Sequence, residues 1–529
     1  MTGRDDGGAD AADGGREHGR DDHDERDERD DAHDDAAGGR DPLAPRSPAL
    51  DVALPAARDV DFARAGVLLT AVEALSALVG FVGTVYFAWV LGASALGVFF
   101  LFDAILSTVA TVTDFGLRDA VEKRVSEGEH PGAILGAALV LKVALLCPFV
   151  LLAYPLAPVV DGYVGAPLTP ALVAGVLAYE FGLLTLHVLR AELRVAETAL
   201  LSFARLVVYV GTAVALVQLD YGVRALVYAF VGSYLVLCVL GALRVSTRPA
   251  RPDRAQFRSL VRYAKYNGIS ALGGYVYNTM DLLVVGYVLT PAFVAAYELA
   301  WRVTTMLLLV TNAVSNTVFA QLSAWHTRGE YERARDAIAS ALTASLFFVV
   351  PAAVGIALFG RDILGVVFGP EYVVAALAFV VLAAEKLVTA VNVVLDAAVR
   401  AFDHPRAGAV ATVASATLNV ALNLLLVPRY GLVGAAAATA SAVVVHTLVV
   451  GAALARIAPL RANTRDLAWC ALAALAMAGV LLVTERVVDP GTSLGLAVLV
   501  ALGGVVYLGV VLLDGRLREQ TRAVLRGVV

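Results

Sequence analysis

The sequence predicts an all-α membrane protein of fourteen transmembrane helices. Two six-helix lobes are related by a pseudo-two-fold axis along the membrane normal, and two C-terminal helices are added to them. Three observations predict this fold. Hydrophobic residues make up 59% of the 529 and charged residues 17%, whereas soluble domains are nearer half apolar and a quarter charged. From about residue 66 the chain divides into fourteen apolar stretches of the length that crosses a bilayer. The segments joining them alternate between basic and nearly charge-free. Of 41 Lys and Arg, 7 lie in residues 1–50, 26 in segments facing one side, 4 in segments facing the other and 4 within spans. That asymmetry is the positive-inside signal, and it predicts a cell-membrane protein with both termini in the cytoplasm.

The first 60 residues differ from the rest. Positions 1–50 hold 16 Asp and Glu against 7 Arg, with no apolar period, so a disordered acidic cytoplasmic tail is expected. No basic start leads into an apolar core, so the tail does not read as a signal peptide. The first lobe, 61–243, holds spans 66–91, 95–117, 132–154, 168–189, 198–218 and 222–243. Gly92, Ala93 and Ser94 are the only turn signal between the first two. The longest outer loop, 155–167, has Asp161 as its only charge. A basic cytoplasmic linker, 244–265, carries seven cationic residues with Pro249 and Pro252. Such a segment is expected to lie on anionic headgroups. The second lobe, 266–455, holds spans 266–289, 293–318, 337–359, 373–399, 407–427 and 431–454, the last opening with a Gly-Ala run suited to close helix packing. Spans 467–485 and 493–514 and a cytoplasmic C-terminal tail complete residues 456–529.

An internal repeat sets the division. The stretch from Val90-Leu91 to Thr113-Asp114 aligns with Val288-Leu289 to Thr311-Asn312 at an offset of 198, and Tyr221-Gly222-Val223 aligns with Tyr430-Gly431-Leu432 at an offset of 209. A seven-plus-seven division would leave the second half starting outside, yet the basic linker must be inside. The repeat is therefore six plus six, with both halves starting inside, as in parallel repeats that enclose a central cavity.

At this point the residues resemble a known family. Tyr277-Asn278-Thr279-Met280-Asp281, then Gly286 and Ala296-Tyr297, resemble the seventh-to-eighth span pattern of the Wzx-like polysaccharide-exporter branch of the multidrug/oligosaccharidyl-lipid/polysaccharide flippase superfamily. Phe368-Gly369-Pro370-Glu371-Tyr372 resembles its outer turn. Asn419, Asn423, Pro428, Gly431 and Gly434-Ala435-Ala436 resemble its eleventh-to-twelfth span run. Phe319-Ala320-Gln321-Leu322-Ser323 resembles the end of span eight, without the family's proline. Leu96-Gly97 and Asp114-Phe115-Gly116-Leu117 fit in the first half. The resemblance covers roughly residues 60–515. It implies a MATE/MOP-like fold and transfer of a polyprenyl-type lipid-linked saccharide from the cytoplasmic to the outer leaflet. Glycosyltransferases or an oligosaccharyltransferase of the same pathway are the implied partners. Only four of the cationic residues are Lys. A surface rich in Asp and poor in Lys suggests a salt-loving organism, and in an archaeal cell the carrier would be a dolichyl phosphate or diphosphate serving protein glycosylation.

Charges within spans point to the same chemistry. Ionisable groups are costly in a bilayer, so they mark substrate or ion paths. A lipid-linked saccharide needs cations for its phosphate and hydrogen-bonding groups for its sugar. Arg302 is the first candidate, one turn from Glu298 on the same helix face. Lys142 is mid-span with no local partner, and Arg205 lies near the inner end of span five. Asp281, Tyr277 and Asn278 are further cavity candidates, with Tyr275 as another sugar contact. Glu73 and Asp396 are candidates for a coupling ion, a role open to Asp281 as well. Lys386 adjoins Glu385, but neighbours on a helix point about 100° apart and need not pair. His187 and His446 stand alone near span ends and read as structural.

Other classes compete. A cation-coupled multidrug exporter of the same superfamily shares the twelve-span core, but the two added spans favour the flippase. A membrane-embedded glycosyltransferase or ligase would need catalytic residues on a sizeable outer loop, and none is evident. No catalytic set, metal site, cofactor or nucleic-acid partner is expected. Cys147, Cys238 and Cys470 all fall within spans and imply no disulfide.

Overall fold

The computed structural model describes residues 62–457, 463–515 and 518, without the side chains of 62–71, 266, 269–271, 276–278 and 405. The expected acidic tail lies outside the described residues. The described chain is helical throughout, as lipid requires of a backbone that must satisfy its own hydrogen bonds. In order the helices are α1 (Phe62–Asp114), α2 (Leu117–Ser126), α3 (Pro131–Ala153), α4 (Ala157–Val164), α5 (Thr169–Ala191), α6 (Val195–Gln218), α7 (Val223–Arg244) and α8 (Arg254–Val288). They continue as α9 (Pro291–Met306), α10 (Leu309–Arg328), α11 (Tyr331–Val367), α12 (Ala376–Ala401), α13 (Pro405–Ile457), α14 (Thr464–Thr484) and α15 (Ser493–Val511).

By length and composition, ten described helices can cross a membrane, or eleven if α9 and α10 form one bent span. The fourteen expected spans exceed this for identifiable reasons. Helices α1 and α13 each run for 53 residues, about 80 Å at 1.5 Å per residue, far beyond a bilayer core of about 30 Å. Each is broken at a glycine: Gly92 at φ 76°, ψ 172° and Gly431 at φ 57°, ψ −135°. Both breaks fall where the sequence separates two spans. Among the described residues of α8, Thr279–Val288 forms a shorter apolar helix.

The expected single span 293–318 is bent by 46° between α9 and α10. Two threonines explain the bend. Thr304 donates to Ala300 O and Trp301 O, and Thr305 to Trp301 O. The chain then tightens, Leu307 N bonding Thr304 O and Leu308 N bonding Thr305 O. Side-chain bonds of this kind compete with the helix ladder.

The expected repeat has a backbone signature. Gly222, ahead of α7, adopts φ 55°, ψ −136°, the conformation of Gly431 within 2°. Helices α5, α6 and α7 pack with α1, while α8, α11 and α12 pack with α13 and its neighbours. Helices α14 and α15 pack on each other and on α11. The halves meet through α1 against α8 and α9, and the described residues form one compact unit.

Hydrogen bonds tie the linker to the first half. Ser246 N and Thr247 N donate to the Glu192 carboxylate at 2.9 and 2.7 Å, as does the Thr247 hydroxyl at 2.8 Å. Ala250 N donates to Gly132 O at 2.8 Å. A capping box at Asp253 and Gln256 then starts α8 at Arg254, well before the expected span. Leu260 and Ala264 turn inward while Arg254, Arg258 and Arg262 stay exposed.

Candidate functional site

A cavity of about 380 Å³ lies between the halves. Both arms of α1 supply part of its wall, with Ser76, Ala77 and Gly80 from the first and Phe99, Phe100 and Asp103 from the second. Helix α6 adds Arg205 and Tyr209, and α9 adds Trp301 and Arg302. The Arg302 Nε lies 2.6 Å from Glu298 Oε1, and its guanidinium sits 4.7 Å from the Phe100 ring centre. Arg205 lies over the Tyr234 ring of α7 at 4.5 Å. A smaller cavity of about 160 Å³ is lined by Glu298, Arg302, Asp103, Ser107, Tyr275 and Thr279. Tyr275 reaches across to α1, its hydroxyl 3.1 Å from Thr108 Oγ1 and donating to Ala104 O at 3.0 Å.

Arg302, Glu298 and Arg205 are thus brought together, and Arg205 faces the cavity wall rather than an aqueous helix end. Two guanidiniums of opposite halves suit a phosphate, which they can bind through paired N–H donors. The rings of Phe99, Phe100, Tyr209 and Trp301 offer flat apolar faces beside them.

Lys142 is not part of this cavity. It is fully buried, and its Nζ lies 2.5 Å from both Asp114 and Glu180. Arg118 closes the set, with Nε 2.9 Å from Asp114. Lys142 has no ion-pair partner on its own helix; its partners come from α1 and α5. The four charges sum to zero, which offsets part of the cost of burying them.

Asp281 is buried in the second half, where Tyr297 donates to its Oδ2 at 3.0 Å and Thr439 at 2.7 Å. It does not line the central cavity. Glu385 and Lys386 do pair, at 2.8 Å, despite their helical offset. Flexible stems close the gap, and Lys386 Nζ also lies 5.6 Å from the Trp301 ring centre. Glu73 is exposed. It precedes Ser76, Ala77 and Gly80 by three, four and seven positions, so it shares the helix face of that cavity wall. Asp396 lies within 3.2 Å of His446, so His446 is not alone. His187 Nδ1 is 2.8 Å from Glu122. The side chains of Tyr277 and Asn278 lie outside the described residues.

Sequence reasoning left Asp103 and Trp301 out of the site. Asp103 is a carboxylate within the second expected span, and nothing local in the sequence places it opposite Arg302.

Contacts tie the halves at both ends of the bundle. At the Gly92 end, Ala93 N donates to Glu371 at 2.7 Å and the Trp89 indole to Val367 O at 2.9 Å. Gly97 also presses on Pro291, whose carbonyl oxygen would lie 1.7 Å from any Cβ there. At the linker end, Asn267 donates to Asp119 at 2.7 Å, and a Cβ on Gly268 would meet Phe115 O at 2.4 Å.

Known proteins resemble this one. A profile described as "Polysaccharide biosynthesis protein" matches residues 70–377, and one described as "Lipid II flippase MurJ" matches residues 266–502. The "Probable low-salt glycan biosynthesis flippase Agl15" of Haloferax volcanii is 36% identical over 460 residues, covering 87% of this chain and 98% of that one. The "Probable flippase AglR" of the same organism is 28% identical over 383 residues, covering 71% and 80%. Among solved structures, Lipid II flippase MurJ in an inward closed conformation has a TM-score of 0.73 at 16% identity, covering 84% of this chain and 98% of that one. An inward-facing MATE family transporter of the MOP superfamily reaches 0.58 at 17% identity, covering 72% and 95%. These structures share the fold.

Proposed function

We propose a function from one premise: this chain belongs to the polysaccharide biosynthesis protein family. It is a multi-pass membrane flippase that moves a lipid-linked saccharide across the bilayer, a transporter rather than an enzyme. The observation that carries this reading is the cavity between the halves, with Arg205 from one and Arg302 from the other. A polyprenyl or dolichyl tail needs no help in hydrocarbon, but its phosphate and sugar do. The two arginines take the phosphate and the neighbouring rings and hydroxyls take the sugar. Asp103 and Glu298 hold the arginines in place when the site is empty. The ties at the two ends open in turn, so the site faces one side and then the other.

The positive-inside asymmetry supports a cytoplasmic linker end with both termini on that side, in a protein of the plasma membrane. Transfer then runs from the cytoplasmic to the outer leaflet, downstream of the glycosyltransferases that build the saccharide. The relatives favour this over multidrug export, since the likeness to a multidrug transporter is one of fold.

The test uses the full-length protein in liposomes with a fluorescent polyprenyl-phosphate saccharide and an impermeant quencher. Wild type should move the lipid between leaflets faster than protein-free liposomes, and Arg302→Ala should move it much more slowly than wild type. Equal rates with and without well-incorporated wild type would overturn the reading. Impermeant thiol labelling in intact cells checks orientation: Val159→Cys should react and Arg251→Cys should not.

A further inference from the structure

Away from the central cavity, three helical segments of the second half converge on one imidazole. His446, on the second arm of α13, has Nδ1 3.3 Å from Ser415 Oγ on the first arm. Its Nε2 lies 3.2 Å from Asp396 of α12. Asp396 Oδ2 also accepts from Asn392 Nδ2 at 3.3 Å, and the Ser415 hydroxyl donates to Thr412 O at 3.1 Å. Ser415 is wholly buried and His446 nearly so, while the Asp396 side chain keeps 29% of its surface. None of these residues lines the cavity that holds Arg302.

Counting protons along this chain gives two complete arrangements. In the one drawn, Ser415 spends its only hydrogen on Thr412 O, so its oxygen faces Nδ1 as an acceptor. Nε2 faces a carboxylate, also an acceptor. Both ring nitrogens then carry hydrogen, and the ring is an imidazolium beside Asp396. In the other, the ring is neutral and keeps hydrogen only on Nε2. The Ser415 hydroxyl then rotates to donate to Nδ1, and Thr412 O keeps its helical bond. Both patterns pair the Ser415 hydroxyl, both ring nitrogens and the Asp396 carboxylate, and they differ by one proton.

Four other charged or titratable groups on the packed elements are engaged elsewhere. Arg400 of α12 lies over the Phe319 ring of α10, and His326 of α10 packs on Tyr331 and Phe402. Asp281 of α8 is held by Tyr297 and Thr439, and Glu385 by Lys386. Asp396 is the only charged partner of His446 among the described residues.

We propose that Asp396, His446 and Ser415 form a proton-binding site, loaded from water through the exposed edge of Asp396. Loading takes one proton from solvent and changes the pair's charge from −1 to 0. Because the imidazole joins α12 to both arms of α13, its protonation state biases how these segments pack. The coupling role rests on the flippase reading, whereas proton binding does not.

His446→Gln provides the test, since a glutamine amide can donate to Asp396 and accept from Ser415 without titrating. In a pH titration of purified full-length protein between pH 8 and 5, wild type should take up one more proton per chain than His446→Gln or Asp396→Asn. In liposomes, an imposed pH gradient should change the wild-type translocation rate several-fold and leave the His446→Gln rate unchanged. Equal proton uptake by wild type and both variants would overturn the site. A gradient response surviving in His446→Gln would overturn its coupling role. If wild type moves no saccharide lipid but still takes up the extra proton, the flippase reading fails and the proton site stands.

Discussion

Arg205 and Arg302 belong to opposite halves of the repeat, yet they line one cavity, each with its guanidinium over an aromatic ring. Neither has an arginine neighbour in sequence. The packing of α1 between α6 and α9 brings them together, and a substrate bound to both would feel any relative movement of the halves.

Arg302→Ala should lower translocation about ten- to a hundredfold, the roughly 1.5–3 kcal/mol of a charged hydrogen bond. Arg302→Lys should recover part of it, because ammonium lacks the planar fork. The double variant Arg302→Ala/Glu298→Ala separates binding from structure. Full activity there, measured in liposomes, would mean that the pair only joins helix turns.

Lys142→Met should be strongly destabilising, by about 3–5 kcal/mol, because it leaves two carboxylates buried against a single Arg118. Adding Glu180→Gln should restore much of the loss. Thermal unfolding of the detergent-purified variants reads both effects.

Glu192 lies outside the spans and holds the linker strap. Burial pushes its pKa up, but hydrogen bonds from Thr247, Arg194 and Ser246 outweigh this and leave it below the ordinary glutamate value. A depressed carboxylate stabilises the fold above its unfolded pKa and loses that contribution as pH falls through its folded value. Amide exchange at Ser246 and Thr247 should therefore accelerate in acid relative to Glu192→Gln, and the two proteins should differ most near neutrality.

Glu371 ties the halves at the Gly92 end by accepting from Ala93 N. Glu371→Ala should raise labelling of a cavity thiol, Thr84→Cys, by reagent added from that side. An unchanged labelling rate would place the seal at Gly97 and Pro291 instead.

Gly222 and Gly431 share a backbone conformation that side-chain-bearing residues reach only with strain. Alanine at either position should cost about 1–3 kcal/mol, and the two costs should match if the positions are equivalent in the repeat. Unfolding midpoints of the two single variants decide this.

Much of the fold was legible in the sequence because each helix is a local object. Runs of Ala, Leu and Val set where helices form, and Gly92, Gly222 and Gly431 set where they break. The bend after Thr304 and Thr305 was missed because an apolar window does not register hydroxyls that bond back to the helix. The early start of α8 was missed because its first turns are basic, although Asp253 and Gln256 carried a capping signal. Of the site, Arg302 with Glu298 was readable, since both lie on one helix at a spacing of four.

The sequence by itself determined that this chain crosses a membrane many times, that it is built from a repeat, and which few charges it commits to the bilayer. Tertiary structure alone decided which of those charges meet. Lys142 finds Asp114 and Glu180, Arg205 faces the cavity of Arg302, and Asp396 finds His446. The physical reason is geometric. Forming a helix depends on hydrogen bonds within a few residues, whereas an ion pair between helices depends on the rotation and depth of each. Those are set by close contacts such as Gly97 against Pro291 and Gly268 against Phe115, between residues far apart in the chain.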